Sequence, residues 1–365
     1  MATMLKLDRL TKRYGAETVL DGVSLSVAEG ETVAIFGPSG SGKTVLLRLI
    51  SGMSEPEDGE LLINGRDVVG TAPEERGVGM AFQNFALFPH MSAYENIASP
   101  LQARKSTAAK VKEGVDRVAR LLKIDHVLGH APRQLSNGQK QRTALARALV
   151  AAPKLLLLDD PLRNVDAKLR FEMRLELPRL LQGFGSTVLY VTQDYREAMA
   201  LGNRIAVLVG GRFVQVGNPE EIYDRPATVE VARLFGDPTI NLIEAEIQAG
   251  NGGPVAVVGE GRLPLAPGYD GLVGRRAVLG IRPEDIDYAE PGDPQAVPVR
   301  VAALLPLNDR LVRLLVGRDG QEFNASKDAG ARSLGEGAET AFRAAPTSII
   351  LFDPATGQRI APQAH

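Results

Sequence analysis

Val33-Ala34-Ile35-Phe36-Gly37-Pro38-Ser39-Gly40-Ser41-Gly42-Lys43-Thr44 is the stretch whose reading decides this chain. Its first four residues form a short apolar run, as a buried strand does. Gly37 to Lys43 carries too much glycine for a helix. Thr44 to Ile50 then has a helical pattern, closed by Gly52. Gly37-x-x-x-x-Gly42-Lys43-Thr44 is the phosphate-binding loop pattern in its expected strand–loop–helix setting. The glycines let successive N–H groups face one anion, and the helix N-terminus adds its positive dipole end. Gly37, Pro38, Ser39, Gly40, Ser41, Gly42, Lys43 and Thr44 are therefore expected to bind a nucleoside triphosphate. Lys43 would reach its terminal phosphates, and the Thr44 hydroxyl would hold Mg²⁺.

The rest of the chain is read around that site. Its 365 residues predict two or three domains. Hydrophobic residues at 44% and charged residues at 24% are ordinary for a globular protein. A net charge of −2 gives no sequence-wide pull toward nucleic acid. The absence of cysteine excludes disulfides and cysteine metal sites. His90, His126, His130 and His365 have no metal-ligand spacing. Neither a signal-peptide core nor a run of membrane-spanning length is present, so a cytosolic chain is expected, with room for attachment to a membrane through a partner.

Upstream of the loop, Leu5 to Leu7 and Val19 to Val27 read as strands, with Lys12-Arg13-Tyr14-Gly15 between them. Tyr14 either packs on the surface or stacks on a base. Downstream, Leu61 to Ile63 and Val78 to Phe82 read as strands. Gln83 follows the second, at the end where open α/β sheets bind ligands; it is a turn residue or a contact to Mg²⁺ or water. Ser92-Ala93-Tyr94-Glu95 fits a capping box, and residues 103–130 have helical periodicity. Ser136 and Gln139 form a second capping box, so Ser136, Gly138 and Gln139 either cap a helix or expose a second anion site. Leu155-Leu156-Leu157-Leu158-Asp159-Asp160 reads as a central parallel strand ending in two carboxylates, suited to Mg²⁺ and an attacking water. Thr187 to Val191 is another strand, ending in Thr192-Gln193-Asp194. Gly210-Gly211 marks a hairpin, and a capped helix follows from about Pro219.

Past Gly236-Asp237-Pro238 the helical texture fades. Short β-like runs recur at 242–247, 255–258, 277–281, 297–303, 311–316 and 348–352, separated by turn residues. This predicts a small barrel or sandwich, with the boundary near 237.

Together these motifs resemble the ATP-binding subunits of ABC importers, in the maltose-type branch that takes up sugars, polyols and glycerol phosphates. The residues that carry the resemblance are Gly37–Thr44 (Walker A), Gln83-Asn84 with Leu87-Phe88-Pro89-His90 (Q-loop), Leu135–Arg142 (signature), Leu155–Asp159 (Walker B) and Asn164-Val165-Asp166-Ala167 (D-loop). Leu279–Asp285 looks like the segment typical of that branch's C-terminal regulatory domain. The implied fold is an α/β P-loop ABC ATPase core over residues 1–237, with a helical subdomain at about 88–154. An all-β, OB-like regulatory domain over 238–365 follows.

The resemblance implies ATP and Mg²⁺ as cofactors, with Thr44, Gln83 and Asp159 at the metal and Tyr14 on adenine. Two ATPase domains would close head to tail, each ATP lying between one chain's phosphate loop and the other's signature helix. Ser136, Gly138 and Gln139 would then bind a nucleotide held by a second ATPase subunit. The implied partners also include two integral membrane permease subunits, met near Gln83, and indirectly a solute-binding protein. The chain would sit peripherally at the cytoplasmic face of the inner membrane.

Three positions depart from the family pattern. Asp160 stands where a catalytic glutamate is usual, Gln193 where a switch histidine is usual, and Asn137 where the signature usually has glycine. Lys43, Asp160 and Gln193 remain the expected catalytic residues. Aspartate is one methylene shorter, and misplacing a catalytic group by about 1 Å can cost on the order of 100-fold. Glutamine donates a hydrogen bond but cannot become charged. The expectation is intact binding, weakened hydrolysis and a non-identical ATPase partner. The competing expectations are a slow but competent homodimeric ATPase and a nucleotide switch outside transport.

Overall fold

A computed structural model describes residues 2–163, 165–307, 310–328 and 334–363. Asn164 of the expected D-loop, and His365, lie outside the described residues. The chain divides into two compact units, Met1–Pro219 and Glu220–His365.

In the first unit, β1 (Thr3–Tyr14) and β2 (Glu17–Ala28) form a hairpin, followed by β3 (Thr32–Phe36) and α1 (Lys43–Ser51). Next come β4 (Asp58–Ile63), β5 (Arg66–Asp67), β6 (Val78–Ala81), α2 (Ala93–Ala103), α3 (Ala108–Leu121) and α4 (Asn137–Leu149). Then follow β7 (Leu155–Asp159), α5 (Ala167–Phe184), β8 (Thr187–Thr192), α6 (Tyr195–Leu201), β9 (Arg204–Val209) and β10 (Arg212–Gly217). Lys12, Arg13 and Tyr14 belong to β1 rather than to a connection. They pair with Leu20, Thr18 and Glu17, which leaves only Gly15-Ala16 to turn the chain.

The central sheet has the order β10-β9-β3-β8-β7-β6 and is parallel except for its β10 edge. Why β7 is leucine at four consecutive positions is visible in its packing. Leu155 and Leu157 face a core shared with α1 and the antiparallel sheet β2-β1-β4-β5. Leu156 and Leu158 face the opposite core, with α2, α3, α4 and α5. Alternate residues of a strand point to opposite faces, and here both faces are buried. β8 does the same, Leu189 and Val191 on one side and Val188 and Tyr190 on the other. α2, α3 and α4 fall between residues 93 and 149, and α5 joins the same layer from further along the chain. The Ser92–Glu95 and Ser136–Gln139 capping boxes are both formed.

The second unit opens with α7 (Pro219–Asp224) and α8 (Val229–Leu234). One sheet contains β11 (Asn241–Gly250), β12 (Gly253–Val258), β13 (Gly261–Pro264) and β14 (Arg276–Ile281). The other contains β15 (Asp287–Ala289), β16 (Val297–Leu307), β17 (Arg310–Gly317), β18 (Glu322–Asp328) and β19 (Glu339–Arg343). β20 (Ile350–Phe352) and β21 (Arg359–Ile360) return to the first sheet. Both sheets are antiparallel and share one core, including Ile243, Leu279, Val299 and Phe323. Arg282 lies in the Leu279–Asp285 segment and is 3% exposed. Its guanidinium donates to the Tyr223 carbonyl at 2.6 Å and to the Phe235 carbonyl, and it covers the Tyr223 ring at 3.8 Å. This clamp, with Ala232 against Ile240 and Phe352, makes α7 and α8 part of the β unit. Packing therefore divides the chain at Pro219, ahead of the change of texture near 237.

Candidate functional site

Four neighbouring strands of the central sheet, β3, β8, β7 and β6, each end in a residue singled out from the sequence. The phosphate loop leaves β3, Gln193 follows β8, Asp159 ends β7, and Gln83 lies just past β6. Parallel strands put these C-terminal ends on one edge, where open α/β sheets bind ligands. A cleft of about 310 Å³ lies there, and its lining includes Gly42, Lys43, Thr44, Gln83, Asp159 and Gln193. Ser39, Gly40, Asp160 and Arg163 also line it.

The loop leaves no space for side chains at two of its glycines. A Cβ at Gly37 would stand 2.1 Å from the Leu208 carbonyl oxygen. At Gly42 a Cβ would stand 2.9 Å from the Val19 oxygen, and the backbone φ is +100°, which side chains disfavour. Gly42 is also the N-cap of α1, whose first turn holds no acidic residue. The helix end is thus left to an external anion.

Lys43 is 6% exposed, and its ammonium donates to the carbonyls of Gly37 at 2.8 Å and Pro38 at 2.7 Å, and to Ser41 Oγ at 3.3 Å. Burial lowers its pKa, and the Asp160 and Asp159 carboxylates oppose that. Thr44 Oγ1 donates to Asp159 Oδ1 at 3.2 Å, bringing two hard oxygen donors together beneath the loop. Such a pair suits Mg²⁺, which keeps waters and phosphate oxygens as its other ligands. Burial raises the Asp159 pKa, against the Thr44 hydrogen bond. Burial also pushes Asp160 up to about 6; Arg163 opposes this, and the Asp159 charge adds to it. Asp160 holds a left-handed backbone, φ +45°, of the kind that aims a functional side chain at the cost of strain.

Behind Gln193, the buried Glu197 carboxylate accepts from Tyr190 Oη and Thr192 Oγ1, both at 2.8 Å. Thr192 Oγ1 in turn accepts from the Asp194 N–H at 3.0 Å. The network fixes the strand end that carries Gln193, and burial raises the Glu197 pKa. No sequence pattern pointed to Glu197 or to Arg163.

Tyr14 and the α4 end lie elsewhere. Tyr14 is half exposed at the tip of the β1–β2 hairpin, with Lys12 Nζ 5.2 Å from its ring centre. Ser136 is exposed, Gly138 buried and Gln139 half-buried, and none of the three lines the cleft. Ser136 Oγ accepts from the Gln139 N–H at 3.3 Å, and Gln139 Oε1 accepts from the Ser136 N–H at 2.9 Å. The Gln83 region is braced by Arg147, which donates to the Ala86 and Phe85 carbonyls at 2.7 and 3.0 Å.

Residues 20–163 match the ABC transporter family, and residues 236–286 match the MalK OB fold domain. The chain is 40% identical over 358 residues to the sn-glycerol-3-phosphate import ATP-binding protein UgpC of Salmonella typhi, covering 98% of this chain and 99% of the relative. It is 43% identical over 361 residues to the protein of the same description from Chromobacterium violaceum, covering 98% and 96%. Among solved structures it resembles the dimeric post-hydrolysis ATP-binding cassette MJ0796 bound to ADP and Pi. The identity there is 32% and the TM-score 0.54, over 59% of this chain and 99% of that one. It also resembles cbiO1 from Clostridium perfringens, part of the cbiONQ complex. That match has 27% identity and a TM-score of 0.57, over 61% and 91%.

Proposed function

Because this chain belongs to the ABC transporter family, as an ATP-binding transport ATPase with a MalK-type OB-fold domain, we propose that it drives import of a glycerol phosphate or related sugar or polyol as the weaker half of an ATPase heterodimer. The observation that carries this is the cleft itself. Lys43, Thr44 and Asp159 are assembled for binding, while the positions beside them hold Asp160 and Gln193.

Within this proposal Thr44, Asp159 and Gln83 hold Mg²⁺, whose charge neutralises the phosphates. Lys43 turns from the loop carbonyls to the terminal phosphates, Tyr14 stacks on adenine, and Asp160 orients and deprotonates the attacking water. Gln193 donates a hydrogen bond to the γ-phosphate without adding charge. Ser136, Gly138 and Gln139 serve the partner subunit's nucleotide, which is supported by their place outside this chain's own cleft and by the exposure of Ser136. The solute class rests on the names of the relatives. Residues 1–237 are the ATPase module, with its helical subdomain at about 88–154, and 238–365 the regulatory module, against which α7 and α8 pack; the OB match beginning at 236 favours that boundary over the packing division at 219.

One of the two permease subunits docks on an apolar cleft of about 570 Å³ that Phe82, Phe88, Pro100 and Ala103 help to line. Phe88 is 43% exposed there. Docking places the chain peripherally at the cytoplasmic face of the inner membrane, downstream of a solute-binding protein. No helix among the described residues is long and apolar enough to cross a membrane.

The test is to isolate the chain from its host with its companions and reconstitute the assembly in vesicles. ATP-dependent uptake of sn-glycerol 3-phosphate, glycerol and a sugar panel is then measured. The reading predicts co-purification of permeases and of a second, non-identical ATPase. A chain that associates with no integral membrane protein overturns the transport reading. A complex holding two copies of this chain replaces the heterodimer with a slow homodimer.

A further inference from the structure

We infer that Arg163 is a γ-phosphate-binding cation of this chain's own site, supplying the positive charge that Gln193 cannot. The inference rests on the reading of the cleft as the chain's nucleotide site. Arg163 lines the cleft together with Lys43, Thr44, Asp159, Asp160 and Gln193. The Lys43 and Arg163 cations thus open on one cleft, where the polyphosphate of a nucleotide would meet both.

The ion pair that Arg163 already makes does not account for its place. Its Nη1 stands 3.8 Å from Asp160 Oδ2, beyond hydrogen-bond distance, and the side chain is 48% exposed. Pairs of that kind contribute little stability. The backbone beneath it, by contrast, is held. The Arg163 N–H donates to the Asp160 carbonyl at 3.2 Å. Arg170 Nη2 donates to the Arg163 carbonyl at 3.2 Å and to that of Val165 at 3.0 Å. A fixed backbone with a half-exposed guanidinium lets the charge turn from Asp160 to an incoming phosphate. Leaving Asp160 in this way also frees that carboxylate for water. A guanidinium suits the task, since it stays charged and offers paired donors to phosphate oxygens.

The experiment is calorimetric titration of the full chain with Mg²⁺ and either a non-hydrolysable ATP analogue or ADP. Arg163→Ala is expected to weaken the analogue about tenfold or more while changing ADP less than about twofold. Arg163→Lys is expected to restore part of the loss. Gln193→His added to Arg163→Ala is expected to restore binding too, because it puts a cation back beside the γ-phosphate. Equal losses for both nucleotides, or none for either, overturn the inference. Lys43→Ala separates the failures: if that variant binds both nucleotides normally, the cleft is not the nucleotide site at all.

Discussion

The chain presents two helix N-termini suited to phosphate, at α1 and at α4, and they are finished in opposite ways. The α1 end is enclosed. Four strand ends, two buried carboxylates and a buried lysine converge on it, and their pKa values are displaced by burial. The α4 end is exposed, and Ser136 and Gln139 satisfy each other across it. An enclosed end forms a site by itself. An exposed, self-capped end forms one only when another surface closes over it. The departures from the family pattern are divided the same way. On the proposed function, Asp160 and Gln193 would weaken the enclosed site, whereas Ser136 and Gly138 would leave the exposed one able to serve a partner.

The largest effect is expected at the enclosed end. Lys43→Ala removes a buried cation from the phosphates and should lower ATP affinity by about 100-fold or more in calorimetry, as truncating one partner of a buried charge pair does. Unchanged affinity would refute the role of Lys43. Next in size is the double substitution Asp160→Glu with Gln193→His. It should raise the single-turnover hydrolysis rate at this chain's own site by on the order of 10- to 100-fold, by restoring reach and charge. If the rate does not move, these two residues are not what limits hydrolysis.

A third prediction concerns pH. The Asp160 pKa is raised from 3.8 to about 6, so the folded chain keeps a proton that the unfolded chain releases. Stability of the nucleotide-free protein should therefore fall as pH rises from 3.8 to about 6 and level off above, by on the order of 3 kcal/mol. Burial of Asp159 acts in the same direction. Denaturation midpoints of the wild type and Asp160→Asn across that range check it, and an equal slope in both contradicts it. The smallest effect belongs to the exposed end. Ser136→Ala should cost about 1 kcal/mol through the lost cap and leave the ATP affinity of the isolated chain unchanged. A fall in that affinity would place Ser136 in the chain's own site and erase the contrast.

How much of this could be read in advance follows from where each signal lies. The phosphate loop was legible because glycine, lysine and apolar residues sit at fixed local spacing. The Leu155–Leu158 run announced a strand buried on both faces, and the packing of alternate leucines into two cores bears that out. Convergence of the four strand ends depends on the order β3-β8-β7-β6, which no local spacing encodes. The family resemblance supplied it.

Arg163 escaped notice because a lone arginine after a strand has no pattern. α5 did carry a signal that went unread: Met173, Leu177 and Leu181 are buried at four-residue steps. β18 was hidden by composition, since Glu322–Asp328 is mostly polar or small and buries Phe323 and Ala325 alternately. β1 extends through Lys12 to Tyr14 because pairing with β2, rather than propensity, sets its end.

The central claim, that the enclosed site binds ATP but is poorly equipped to hydrolyse it, is tested most directly by the steady-state ATPase rate of the purified chain alone, beside Asp160→Asn. The account predicts a slow rate from the start, which Asp160→Asn lowers further. Vigorous hydrolysis abolished by Asp160→Asn would contradict it.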